Sequence, residues 1–160
     1  MCPPSRQQHS NRCSPPAFWP LGCSSTNRSR PWQSGVIDVA QLHGSEDDDY
    51  IARLRALTGK PIFRAFKVKS EADLPAIENC AADLVLLDSG AGTGKTFDWS
   101  LVRSVQRPYF LAGGLDPDNV ADAIAALHPY GVDVSSGIET DGVKDESKMA
   151  AFVAVARKEG

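Results

Sequence analysis

What the sequence lacks narrows its reading first. No apolar run approaches the roughly 20 residues that a bilayer-spanning helix needs, and the N-terminus has no compact apolar core like that of a signal peptide. Neither a membrane span nor a secretory leader is expected, and a cytoplasmic location follows. Neither sign of charge dominates. The 17 Lys and Arg stand against 20 Asp and Glu, a net charge of −3, which gives no bias toward nucleic acid or a membrane surface as partner. Aromatics make up only 8% of the 160 residues, but 42% are hydrophobic, enough to bury one ordinary core.

Acids are absent from the first 35 residues, which hold Arg6, Arg12, Arg28 and Arg30, so the acidic excess lies entirely in the rest. This prefix also holds Cys2, Cys13 and Cys23 of the four cysteines and six of the eleven prolines, with no helical or strand period. The cysteine spacings match no zinc pattern, and three thiols cannot pair off, so a metal clip and a disulfide staple are both disfavoured. Residues 1–35 read as an irregular, disordered prefix or a start foreign to the domain, and residues 36–160 as the domain itself.

From Val36 onward short apolar blocks recur. Residues 36–43, 61–68, 83–88, 108–112 and 131–135 predict five strands. Between them, Ser45 followed by Glu46, Asp47 and Asp48 predicts the cap of a helix with Tyr50, Ile51, Leu54 and Leu57 on one face, ended by Gly59. Further helices are expected from Asp73 with Pro75 in the first turn, over residues 99–105, after Asp116-Pro117, and from Asp145 with Met149, Phe152 and Val153 inward. Strands that alternate with helices at this spacing build a parallel sheet from βα units. The period leaves open whether that sheet is doubly wound or belongs to a barrel. Either way the chemistry lies at the carboxyl ends of the strands, here His43-Gly44, Asp88-Ser89, Gly113-Gly114 and Ser135-Ser136-Gly137.

One of those ends, LVLLDSGAGTGKTFDW at residues 84–99, looks at first like a phosphate-binding P-loop. That loop needs a glycine five positions before its Gly-Lys-Thr, so that successive N–H groups wrap the phosphates, and the residue five before Gly94 is Ser89. The count rejects the P-loop. What remains unusual is Asp88, a carboxylate that ends the run Leu84, Val85, Leu86, Leu87.

Five motifs then stand in a fixed order: QLHG at residues 41–44; LLDS at 86–89; GTG at 92–94 with FDW at 97–99; LAGGL at 111–115 with Asn119-Val120; and DVSSGIE at 133–139 with Lys144-Asp145. Together they resemble phosphoribosylanthranilate isomerase over roughly residues 36–160. The resemblance implies a TIM (βα)8 barrel, of which the five units here are the fourth to eighth, so that the chain is expected to form an incomplete barrel. It implies an intramolecular aldose–ketose isomerase of tryptophan biosynthesis that works on a phosphorylated sugar–anthranilate without cofactor or metal. The reaction is the Amadori rearrangement of N-(5-phosphoribosyl)anthranilate to 1-(o-carboxyphenylamino)-1-deoxyribulose 5-phosphate.

Roles follow residue by residue. Asp88 takes the place of the family's general acid, and a carboxyl at the mouth of an apolar strand is expected to hold its proton through desolvation. On sequence alone an Asx turn or cap for the glycine loop is the lesser alternative. Gly113, Gly114, Ser135, Ser136 and Gly137 are expected to cradle the substrate phosphate with backbone N–H groups, although a lone Gly-Gly is as readily a tight turn. Gln41 and His43 fall beside the family's active site, and a strand-end His with one backbone hydrogen bond is the plainer reading. Gly92-Thr93-Gly94 reads as a mobile segment over the site, Lys95 as a solvated charge, and His128 as a structural residue at a helix carboxyl end.

The family's base, the thiol of a Cys-Gly pair ending its first strand, has no counterpart in Cys2, Cys13 or Cys23, none of which precedes glycine. Three more units would need about 75 residues. The alternative function is therefore a non-catalytic sugar-phosphate-binding barrel fragment, which associates with itself or with a complementing chain through open sheet edges.

Overall fold

The computed structural model describes residues 21–23, 37–88 and 99–159. Six strands, β1 (Leu21–Cys23), β2 (Val39–Leu42), β3 (Ile62–Lys67), β4 (Leu84–Asp88), β5 (Tyr109–Ala112) and β6 (Gly131–Val132), form one sheet in chain order, and every pairing is parallel. A doubly wound sheet reverses its strand order at a switch point, and this one does not. The architecture is an α/β fold of the TIM-barrel type, which among the described residues is not closed into a ring. No described helix is long and apolar enough to cross a membrane.

The sheet has one strand more than the five read from the pattern. β1 comes from the prefix read as irregular and pairs with β2, Cys23 standing opposite Gln41. Three residues, Leu-Gly-Cys, carry no side-chain period, and a parallel ladder is made by backbone groups that any sequence offers. The remaining prefix cysteines lie outside the described residues.

Alternation along the strands sorts two faces. Ala40, Leu42, Ile62, Val85, Leu87, Tyr109 and Leu111 turn outward into the main core. There they meet Ile51 and Leu54 of α1 (Asp48–Leu57), Ile77 of α2 (Leu74–Glu78), Val120, Ala123, Ile124 and Leu127 of α3 (Val120–Leu127), and Phe152 of α4 (Glu146–Glu159). The other face carries Val39, Phe63, Leu86 and Phe110, with the Phe63 and Phe110 rings 5.2 Å apart.

Several local expectations are corrected. Asp47 rather than Ser45 caps α1, its carboxylate accepting from the Tyr50 N–H at 2.8 Å, because the cap must directly precede the first helical residue. Of the four residues placed on its apolar face, Ile51 and Leu54 are buried while Tyr50 and Leu57 are exposed. Residues 99–104 form turns instead of a helix, since Ser100, Val102, Ser104 and Val105 all lose side-chain freedom or compete for backbone bonds in a helix. Asp116 does cap, accepting from Asp118 and Asn119 N–H at 2.9 Å, but the regular helix starts only at Val120. On α4 only Phe152 is buried, whereas Met149 and Val153 are exposed.

The amino-terminal ends of the strands are locked by two arginines. Arg55 pairs with Asp83 at 3.1 Å, and Arg107 donates to the carbonyls of Ile77, Cys80 and Ala82 at 3.0, 2.9 and 2.7 Å. Removing the Arg107 guanidinium takes a donor from three carbonyls at once, of which, among the described residues, only that of Ile77 is seen to keep a backbone partner. Arg107→Met is expected to lower stability by about 2–4 kcal/mol, and Arg107→Lys to recover only part, since one ammonium cannot span three carbonyls. The urea midpoint should fall at constant slope, and an unmoved midpoint would show that water replaces the clamp without loss.

Candidate active site

The opposite, carboxyl-terminal ends of the strands surround a cavity of about 390 Å³. Strand register brings its polar wall together. Lys67 pairs with Asp88 and Asp88 with Ala112, so three neighbouring strands present these residues on one face. Gln41 and His43 reach the same cavity from β2. Ala65 and Ala112, with almost no side chain, leave room where larger residues would fill the mouth.

Two loops complete the rim. After β5 the chain turns through Gly113 (φ 86°) and Gly114 (φ 68°), left-handed conformations that a side chain disfavours. Asn119 fixes this turn, donating to the Gly114 carbonyl at 2.9 Å while its own oxygen accepts from the Asp116 N–H at 3.0 Å. After β6 come Ser135 and Ser136, which line the cavity, and Gly137, which does not. Gly137 sits behind the rim, where an added Cβ would fall 1.8 Å from the Leu115 carbonyl oxygen. Its part is to let the two loops touch.

Two charged lining residues are absent from the site read from sequence. Asp133, at the end of β6, is half-buried, and Lys67 is exposed at the end of β3. Asp133 follows the rule that pointed to Asp88, a polar residue closing an apolar run, whereas Lys67 precedes Val68, the end of the strand read from sequence. The expected mobile segment, residues 92–94, and Lys95 lie outside the described residues. His128 caps α3 in a left-handed conformation (φ 45°), its N–H bonded to the Ile124 carbonyl.

Burial pushes the Asp133 carboxyl above its ordinary range, and the Asp88 charge adds to the push, while the Val134 N–H and Lys144 pull the other way. An acid whose folded pKa is raised lends the fold stability that is fully present below about pH 4 and is lost as pH rises through the folded value. Asp133→Asn stays neutral throughout. Its stability relative to the parent should therefore rise between pH 3.5 and pH 7 in urea titrations, and parallel pH profiles would refute the shift.

Comparison with known proteins agrees with this geometry. The family model described as N-(5'phosphoribosyl)anthranilate (PRA) isomerase matches residues 29–155. The N-(5'-phosphoribosyl)anthranilate isomerase of Endomicrobium trichonymphae is 45% identical over 127 residues, covering 76% of this chain and 62% of the relative. The chain thus spans about three fifths of the length of the curated relatives it matches. Phosphoribosyl anthranilate isomerase from Thermotoga maritima superposes with a TM-score of 0.75 at 32% identity, over 91% of this chain and 76% of that one. Another solved isomerase, in complex with reduced 1-(o-carboxyphenylamino)-1-deoxyribulose 5-phosphate, gives a TM-score of 0.64 at 34% identity over 76% of this chain and 60% of its own. With most of its length matched by the family model and the barrel order of its strands, the chain belongs to the N-(5'-phosphoribosyl)anthranilate isomerase family.

Proposed function

We propose that this chain carries the proton-donating and phosphate-binding half of the family's site and serves the Amadori rearrangement of N-(5-phosphoribosyl)anthranilate. The observation that supports it is the convergence of Asp88 and both glycine-containing loops on one cavity. In the first step Asp88 gives a proton to the ribose ring oxygen as the C1–O bond breaks, and the anthranilate nitrogen lone pair forms a C=N bond to C1. In the second, a base takes the C2 proton, and its electrons become a C1=C2 bond while the iminium nitrogen is neutralised. Tautomerisation of that enol yields the ketone. Cys2, Cys13 and Cys23 do not stand in the Cys-Gly pair that supplies this base in the family. The N–H groups around Gly113, Gly114, Ser135 and Ser136 hold the phosphate, with Gly137 keeping the loops together, and Gln41 and His43 flank the sugar. The reaction needs no cofactor, and a cytoplasmic location fits a substrate whose phosphate and carboxylate keep it from crossing membranes unaided.

A second reading rests on the inner sheet face. An apolar cavity of about 590 Å³ runs from Phe63, Leu86 and Phe110 to the exposed Met149 and Val153 of α4. On that reading the chain binds sugar phosphates and takes further βα units, from a second copy or another chain, against its sheet edges. A monodisperse monomer with turnover supports the enzyme. Oligomers that bind phosphate without turnover support the fragment.

Two variants test the site. Gly113→Val should abolish phosphate binding, because a side chain at φ 86° is both strained and in the anion's way. Asp88→Asn should keep phosphate affinity and lose about 100-fold or more of any turnover, alone or with complementing units, the usual worth of a general acid. Retained activity in the Asn variant would remove Asp88 from the mechanism.

A further inference from the structure

The Lys144-Asp145 pair belongs to the family-like motifs but does not line the cavity, which raises the question of what it does. The chain reverses through Asp141 (φ 52°) and Gly142 (φ 77°), and the short antiparallel hairpin of β7 (Glu139–Thr140) and β8 (Val143–Lys144) places Lys144 opposite Glu139. From there its ammonium donates to the Ser135 carbonyl at 2.9 Å, to Ser135 Oγ at 3.3 Å and to Glu139 Oε1 at 2.7 Å. An ammonium has three N–H donors, and all three are engaged. Lys144 is therefore not placed as a phosphate ligand.

We infer that Lys144 is a positioning residue, which grips the Ser135 carbonyl so that the N–H on the far side of the same peptide, that of Ser136, is aimed at the substrate phosphate. The inference rests on the phosphate site proposed above. Its physical basis is the planar trans peptide, in which C=O and N–H point in opposite directions, so holding the oxygen fixes the donor. A charge-assisted bond to the oxygen also polarises the peptide and strengthens its N–H as a donor. Glu139 in turn holds the ammonium, and its own backbone is fixed by Lys148, whose ammonium donates to the Glu139 carbonyl at 2.7 Å. The exposed Lys144–Glu139 pair would contribute little as a salt bridge alone. Its value here is orientation.

The test uses the full chain, inorganic phosphate as probe, and calorimetry with backbone amide NMR. Lys144→Met should weaken phosphate binding about tenfold, or 1.4 kcal/mol, and shift the Ser136 amide resonance, with the melting temperature nearly unchanged. Lys144→Arg, which keeps charge and donors, should restore most of the affinity. Glu139→Gln should give a smaller loss in the same direction. Undiminished phosphate affinity in Lys144→Met with an unmoved Ser136 resonance would overturn the inference. If the parent chain binds no phosphate, the phosphate site itself fails. The Ser136 resonance then decides the clamp alone, a shift sustaining it and an unmoved signal overturning it.

Discussion

The site depends on one contact between two backbones. Gly137 approaches the Leu115 carbonyl so closely that a Cβ would lie 1.8 Å from the oxygen, and neither partner is the end of a flexible side chain that could swing away. Leu115 is itself buried in the core that Val120 and Leu127 share, so the loop after β5 is fixed from below. The loop after β6 must come to it. Because position 137 has no side chain, two turns that would otherwise stand apart share one rim, and backbone N–H groups from both can face a single anion. The phosphate recognition proposed above needs no P-loop.

The sheet sets what lies beneath that rim. Climbing the inner face, β3 offers Phe63, Ala65 and Lys67, and β5 offers Phe110 and Ala112, a change from bulky to small to polar on the two strands that flank β4. The aromatic rings line the inner face at one level, in the manner of a side-chain layer in a barrel. Above them the alanines leave space, and at the strand ends Lys67, Asp88 and Asp133 face it. The same alternation sends Leu87 and Leu111 outward to the helices, so a one-residue slip would bury the polar set and empty the cavity of its chemistry.

Much of this was legible because parallel strands are apolar on both faces and stop abruptly. The run Leu84 to Leu87 ending in Asp88 announces a strand and its functional end together, and Gly113-Gly114 announces positive φ. Other features leave weaker marks. β1 has too few residues to show a period, and its pairing is a property of the backbone. The stretch 99–105 has the apolar spacing of a helix, but Ser100, Val102, Ser104 and Val105 outweigh the helix-favouring Leu101 and Arg103. Asp141-Gly142 is a two-residue hairpin signal, but the glycines and serines of the neighbouring motif draw attention first, and they also conceal Asp133. Lys67 could be assigned to the site only once the register with Asp88 was known.

On the proposed reading a mouth with two carboxylates must still admit a phosphate, and electrostatics bears on how the two demands coexist. Burial and the Asp88 charge both favour the neutral form of Asp133, and an arriving dianion acts in the same direction. Lys67 adds a positive charge on the strand next to Asp88 without an ion pair to any acid among the described residues, and Lys144 adds another behind the rim, shared with Glu139. On the reading proposed above, the half-buried Asp133 sheds its charge as the anion enters, which removes one like charge from the rim. Asp88, on the strand next to Lys67, is in that reading the carboxyl that meets the ring oxygen.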